Sequence, residues 1–62
     1  MIVKAEYEET HEPCFVNMDY VIDVFPHKNG YLAYTFDNER RGYVISKSDF
    51  ENFMDKMNGG TE

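Results

Sequence analysis

The chain has little of what usually stabilises a very small protein. Its 62 residues include one cysteine, Cys14, two prolines and no tryptophan. A single cysteine excludes an intrachain disulfide. No apolar run approaches the roughly 18 residues of a membrane span. The start, MIVKAEYEE, has no apolar segment typical of a signal peptide. We therefore expect a cytoplasmic protein without a membrane-spanning segment.

Positive charge is also scarce. Six Lys and Arg residues face twelve Asp and Glu residues, which gives a formal net charge of -6. Residues 1–23 carry six of the acidic residues and one lysine, so the acidity belongs mainly to the first third of the chain. An acidic surface repels nucleic acid and attracts basic partners. The composition therefore favours a protein partner over direct nucleic-acid binding.

Aromatic residues, in contrast, are abundant. Five Tyr and five Phe make up 16% of the chain. These side chains bury enough area to offset the entropy lost on folding, which a disordered chain cannot do. We expect one folded domain over residues 1–58, followed by a loose tail over 59–62.

Alternating apolar and polar residues predict four strands. The alternating segments are IVKAEYEE, CFVNMDYVIDVF, YLAYTF and RGYVIS. The second is long for one strand, and Asn17 marks a bend or bulge within it. Asn29-Gly30 is a strong hairpin signal, and DNER supplies a second turn. Such short connections favour an antiparallel meander.

The apolar period changes near the end of the chain. Phe50, Phe53, Met54 and Met57 follow the spacing of one helical stripe. Ser48 and Glu51 have the spacing of a capping box, in which two side chains satisfy backbone donors at a helix start. The sequence therefore predicts an α+β domain of order ββββα, a four-stranded antiparallel meander with one C-terminal helix on one face.

One helix covers one face of a sheet, so the other face is expected to be exposed. We expect the helix to cover Val16, Met18, Tyr20, Ile22, Val24, Leu32, Tyr34, Phe36, Tyr43 and Ile45. The opposite face then carries Ala33, Val44 and the four residues that we assign to an oligomer interface, Phe15, Val21, Phe25 and Tyr31. Uncovered apolar patches usually mark interaction surfaces. Alternatively, a bulge reverses the parity and turns some of these residues inward.

Four acidic residues alternate along the first two predicted strands: Glu6, Glu8, Asp19 and Asp23. If these strands pair, the carboxylates form one negative surface that imitates nucleic-acid phosphates and binds a basic partner. The alternative is a solvated face that only promotes solubility.

Arg40 and Arg41 are the only arginines and lie side by side in FDNERRGY. Successive strand residues point to opposite faces, so the two side chains cannot act as one fork. One interpretation is that they balance Asp37 and Glu39 beside them. The other is an anion contact, because guanidinium suits phosphate and carboxylate.

No catalytic or metal-binding signature is present. His11, Glu12 and Cys14 are close in sequence, but zinc requires three or four converging ligands at recognised spacings. Ser46, Ser48 and Cys14 have no evident His and Asp partners. We expect no catalytic residue, no metal and no cofactor.

The run FVNMDYVIDV…NGYLAYTFDNERRGYVISKSDFENFM, which covers most of the chain, resembles short proteins of phages and mobile elements. These pair a small antiparallel sheet with one terminal helix, and some are anti-CRISPR inhibitors. The ββββα order also resembles the transcriptional-coactivator type of single-strand-binding fold, which works as a dimer. The first resemblance implies an inhibitor acting in the host cytoplasm, and the second implies a nucleic-acid-binding protein.

Three functions follow as expectations. The first is a small acidic non-enzymatic protein that inhibits or modulates a basic, nucleic-acid-handling host protein. The second is a nucleic-acid-binding or DNA-nicking protein of coactivator-like fold. The third is a homo-oligomeric assembly module.

Overall fold

A computed structural model of the chain describes residues 1–59, the side chain of Glu39 excepted. It confirms an α+β domain with an antiparallel sheet and one C-terminal helix. The elements are β1 (Ile2–Tyr7), β2 (Pro13–Asn17), a 3-10 turn (Met18–Tyr20), β3 (Val21–His27), β4 (Gly30–Thr35), β5 (Asn38–Ile45) and α1 (Lys47–Gly59). Of the predicted tail, Gly59 belongs to α1, and residues 60–62 lie outside the described residues.

The sheet has five strands, so the prediction of four is wrong. The long alternating segment is divided by the 3-10 turn, and Asn17 stands at the division. Its side-chain oxygen accepts a hydrogen bond of 3.0 Å from the Asp19 N–H, and the Val21 N–H then donates to the Met18 carbonyl. Asn favours such local bonds over the ladder of a strand. The bend predicted at Asn17 therefore becomes a complete break.

The strand order is β2-β1-β5-β4-β3, and every neighbouring pair is antiparallel. Strands β3, β4 and β5 form the expected meander. The β1–β2 hairpin does not continue that meander through β2. It attaches at the far side, where β1 pairs with β5 at Glu6–Val44 and Tyr7–Tyr43.

This order requires the sheet to coil strongly. Strands β2 and β3 lie at the two edges, which would be about 19 Å apart in a flat sheet of five strands. The 3-10 turn Met18–Tyr20 nevertheless joins them, and a turn of that length spans only about 8 Å. Hydrogen bonds from the Met18 N–H to the Met1 carbonyl and from the Phe36 N–H to the Tyr20 carbonyl, at 2.8 and 2.9 Å, hold this junction.

The core lies on the inner face of the curved sheet, and α1 packs over it. Its fully or nearly buried members are Val3, Ala5, Val16, Met18, Ala33 and Ile45, and Cys14, Val21, Tyr43, Phe50 and Phe53 pack against them. The Phe50 ring lies 4.4 Å from the Tyr31 ring, centroid to centroid. Met54 and Met57 remain 38% and 59% exposed. Only the first part of the predicted helical stripe therefore docks.

The helix starts earlier than its predicted capping box. Ser46, immediately before α1, accepts a hydrogen bond of 3.1 Å from the Asp49 N–H through its hydroxyl. This is the bond that a helix-capping residue makes three residues ahead. The cap predicted at Ser48 is therefore wrong, because the equivalent hydroxyl two residues upstream takes the role.

The predicted faces of β4 are reversed. Tyr31 pairs with Ile45 and Ala33 pairs with Tyr43, so both β4 residues share the inner face with the core. Val21 also packs against the core, and the assignment of Val21 and Tyr31 to an uncovered face is wrong. A shift of one residue in register exchanges the two faces of a strand, and here the register depends on turns and irregularities that the alternation does not encode.

Candidate interaction surface

The sheet surface that points away from the core, which we call the outer face, has a row of neighbouring side chains across four strands. Glu6 pairs with Val44, Val44 with Leu32, and Leu32 with Phe25. Cross-strand partners in register project to the same side. Val44 is only 7% exposed although it lies outside the main core cluster, so the outer face has a small packed centre. The β1 end and the β3 end of the outer face differ in chemistry.

The β1 end is acidic. Glu6 and Glu8 project there, with side chains 52% and 42% exposed. Their nearest ion-pair partners are imidazoles: His11 Nδ1 lies 3.5 Å from Glu6, and His27 Nε2 lies 3.9 Å from Glu8. The His27 Nδ1 accepts the Asn29 N–H at 3.1 Å, which leaves Nε2 to carry the ring proton toward Glu8.

The turn that follows β1 adds two further carboxylates. Glu9 and Glu12 are exposed in it. His11 has a φ of 63°, a left-handed conformation that reverses the chain, and its N–H donates to the Tyr7 carbonyl at 2.8 Å. We refer to Glu6, Glu8, Glu9 and Glu12 together as the acidic hairpin.

The four acidic residues singled out in the sequence do not form one surface. Glu6, on β1, and Glu8, the first residue after β1, lie together as expected. Asp19 lies on the 3-10 turn, where its carboxylate is 3.6 Å from the amino terminus. Asp23 lies opposite Tyr34 on β3, with β4 and β5 between it and β1. Alternation assigns residues to a face, but it does not determine which strands become neighbours.

The two arginines point to opposite faces, as the strand alternation predicts. Arg41 stacks on Tyr7, with its guanidinium carbon 4.6 Å from the ring centroid. Arg40 lines a groove on the outer face. Among the described side chains neither arginine makes an ion pair, so the expected pairing with Asp37 is absent.

The groove beside Arg40 occupies the β3 end of the outer face and has a volume of about 410 Å³. We call it the outer groove and define it by its lining residues, Ile22, Asp23, Phe25, Tyr34 and Arg40. The Phe25 and Tyr34 rings meet edge to face at 6.0 Å. The alternation in the sequence predicts Ile22 and Tyr34 under the helix, so neither was a candidate site residue. The two-residue connection at Lys28 and Asn29 fixes the β3–β4 register that turns Tyr34 outward, and the register shift between Val21 and Asp23 leaves Ile22 unpaired and free to line the groove.

Of the predicted interface residues, Phe15 and Phe25 are exposed, at 72% and 49%. They lie far apart in the strand order, Phe15 on the edge strand β2 and Phe25 on the opposite edge strand β3. Val21 and Tyr31 belong to the interior. The structure thus leaves Phe25 as the member of this set that joins a continuous aromatic surface.

Cys14 is half-buried beside the core. Burial raises the pKa of its thiol above the ordinary value of 9.0, the Glu6 carboxylate raises the pKa further, and Arg41 acts in the opposite direction. A protonated thiol is a poor nucleophile. This environment gives Cys14 a packing role.

Within residues 1–59, no three His, Cys, Asp or Glu side chains are grouped as a metal site requires. The helices of this same range are too short or too polar to cross a membrane.

Comparison with known protein families, curated proteins and solved structures found no match. The resemblances to phage proteins and to coactivator-like binders therefore stay predictions.

Proposed function

We propose that this protein is a small non-enzymatic binding module that uses its acidic hairpin to engage a basic surface of another protein. The observation that carries the proposal is the concentration of Glu6, Glu8, Glu9 and Glu12 on one hairpin. Histidines are the ion-pair partners of Glu6 and Glu8, and none of the four carboxylates pairs with a described lysine or arginine. Carboxylates left without strong cationic partners are available to a partner's basic groups.

Such a surface acts mainly on encounter rate and specificity. Opposite charges steer two proteins together and are screened within about 8 Å at physiological ionic strength. Proteins that handle nucleic acid offer basic grooves of the required sign. Occupation of such a groove excludes nucleic acid, and this is the inhibitory role that we propose, in the cytoplasm.

Charge reversal on the hairpin tests the proposal. The double variant Glu6→Lys/Glu8→Lys changes the charge by the same amount as a control, Glu51→Lys/Asp55→Lys, on exposed positions of α1. Each tagged protein is used for capture from nuclease-treated extract at low and at physiological salt. We expect salt-sensitive partners that the wild type and the α1 control retain and the hairpin variant loses.

Equal loss in both variants would show a general charge effect and contradict the proposal. A gel shift with single-stranded and double-stranded DNA at low salt separates the main alternative. We expect no shift, because a chain with a net charge of -6 repels phosphates. A clear shift that Arg40→Ala and Arg41→Ala abolish would favour direct nucleic-acid binding.

A further inference from the structure

The outer groove combines exposed apolar surface with one acid and one base. Ile22 and Phe25 are 50% and 49% exposed, and with Tyr34 they form its apolar part. Asp23 and Arg40 line the same groove. Among the described residues neither charge has an ion-pair partner.

The charge balance of the groove matters because the chain carries a net charge of -6. Two copies repel each other wherever their acidic surfaces meet. In the outer groove Asp23 and Arg40 cancel, so a second copy meets apolar area without net repulsion. The acidic hairpin has no such balance.

We propose that the outer groove is a two-fold interface with a second copy of this chain, in which Asp23 of each copy pairs with Arg40 of the other. A two-fold interface uses the same patch on both partners, so a contact from one residue to another occurs twice. One acid and one base on a single patch meet that requirement. The apolar contacts come from Ile22, Phe25 and Tyr34. This inference is independent of the acidic hairpin.

Side chains, and not an extended sheet, form the contact in this arrangement. In a two-residue hairpin the closing pair, here His27 and Gly30, bonds across the hairpin. Pro26 therefore faces the free edge of β3, where it lacks an N–H to donate. The register also shifts between Val21 and Asp23. Both features impair the addition of a further strand.

Charge exchange between two variants gives a specific test. We expect the wild type to dimerise in sedimentation equilibrium at micromolar to sub-millimolar concentrations. Asp23→Arg and Arg40→Asp should each weaken the dimer at least about tenfold, because like charges then face each other twice. Mixing the two variants should restore a dimer that contains one copy of each, since every pair then joins opposite charges.

Circular dichroism and thermal melting confirm that each variant is folded. A charge-matched pair on α1, Asp55→Arg and Lys56→Asp, should dimerise like the wild type. A wild type that stays monomeric over the whole range would overturn the proposal. So would single variants that dimerise normally, or a mixture that gains nothing over its components.

Discussion

The guanidinium carbon of Arg41 lies 4.6 Å from the centroid of the Tyr7 ring. The Tyr7 ring in turn lies 5.6 Å from the Tyr43 ring. Because Tyr7 and Tyr43 are paired across β1 and β5, the stack lies over the junction between the first hairpin and the meander.

Arg41→Ala should therefore destabilise the fold by about 0.5–1 kcal/mol, the usual contribution of an exposed cation–π contact. Arg40→Ala is the matched control, because it removes the same charge from the other face of the same strand; both variants are compared at a concentration where the chain is monomeric, since Arg40 belongs to the proposed interface. Urea unfolding of the two variants measures the difference. Equal free energies of unfolding would show that the stack contributes nothing.

Several elements were predictable from local patterns. The spacing of Phe50 and Phe53 predicts α1, and Asn29-Gly30 predicts the β3–β4 hairpin. Asn17 indicated a bend in the second predicted strand, but the division into β2 and β3 was not predictable, since the alternation continues through Met18 and Tyr20. The pairing of β1 with β5 leaves no local signal at all, because it joins residues that are almost forty positions apart.

The same limit applies to the candidate surfaces. Parity alone places Glu6 and Glu8 on one face. The proximity of Asp23 to Arg40 depends on the order of β3, β4 and β5 and on a shifted register, which are tertiary properties. The stacking of Arg41 on Tyr7 likewise follows from the β1–β5 pairing and not from the sequence around either residue.

Thr35 is 3% exposed, and its hydroxyl oxygen has no hydrogen-bond partner among the described residues. Thr35→Val removes this buried polar group and keeps the shape of the side chain, so we expect a gain of about 1 kcal/mol or more. Thr10→Val, at an exposed hydroxyl that accepts the Glu12 N–H, should bring no gain. A loss of stability in Thr35→Val would indicate an ordered water bound to the hydroxyl.

Stability should fall at alkaline pH. Burial raises the pKa of Cys14 above 9.0 and that of Tyr43 above 10.0, with the neighbouring Tyr7 as a further cause for Tyr43. The folded state therefore binds these protons more tightly than the unfolded state. The stability that the two groups contribute is complete below their pKa values in the unfolded chain, and it is lost as the pH rises through their raised pKa values in the folded chain. Urea unfolding across that range measures the slope. Cys14→Ala/Tyr43→Phe should flatten it, and an unchanged slope would refute this cause.

Gly30 cannot accept a side chain. Its φ is 142°, and an added Cβ would clash with the Ile45 carbonyl oxygen. Gly30→Ala should cost more than about 2 kcal/mol, because both the strained conformation and the backbone clash oppose it. Gly42→Ala should cost less, since its Cβ would meet the end of the Leu32 side chain at 2.6 Å, which can move. Thermal melting compares the stability of the two variants. A larger loss of stability in Gly42→Ala than in Gly30→Ala would contradict the β3–β4 turn described above.

The narrow attachment of β1 to β5 has a consequence for motion. Two residue pairs join these strands, whereas five join β1 to β2, and α1 bridges the boundary by packing on both β1 and β4. We expect β1 and β2 to open together, with amide hydrogen exchange reporting one common opening free energy for both strands. The carboxylates of the acidic hairpin belong to the β1–β2 hairpin. The packing of α1 on β1 therefore also determines how rigidly these carboxylates are held.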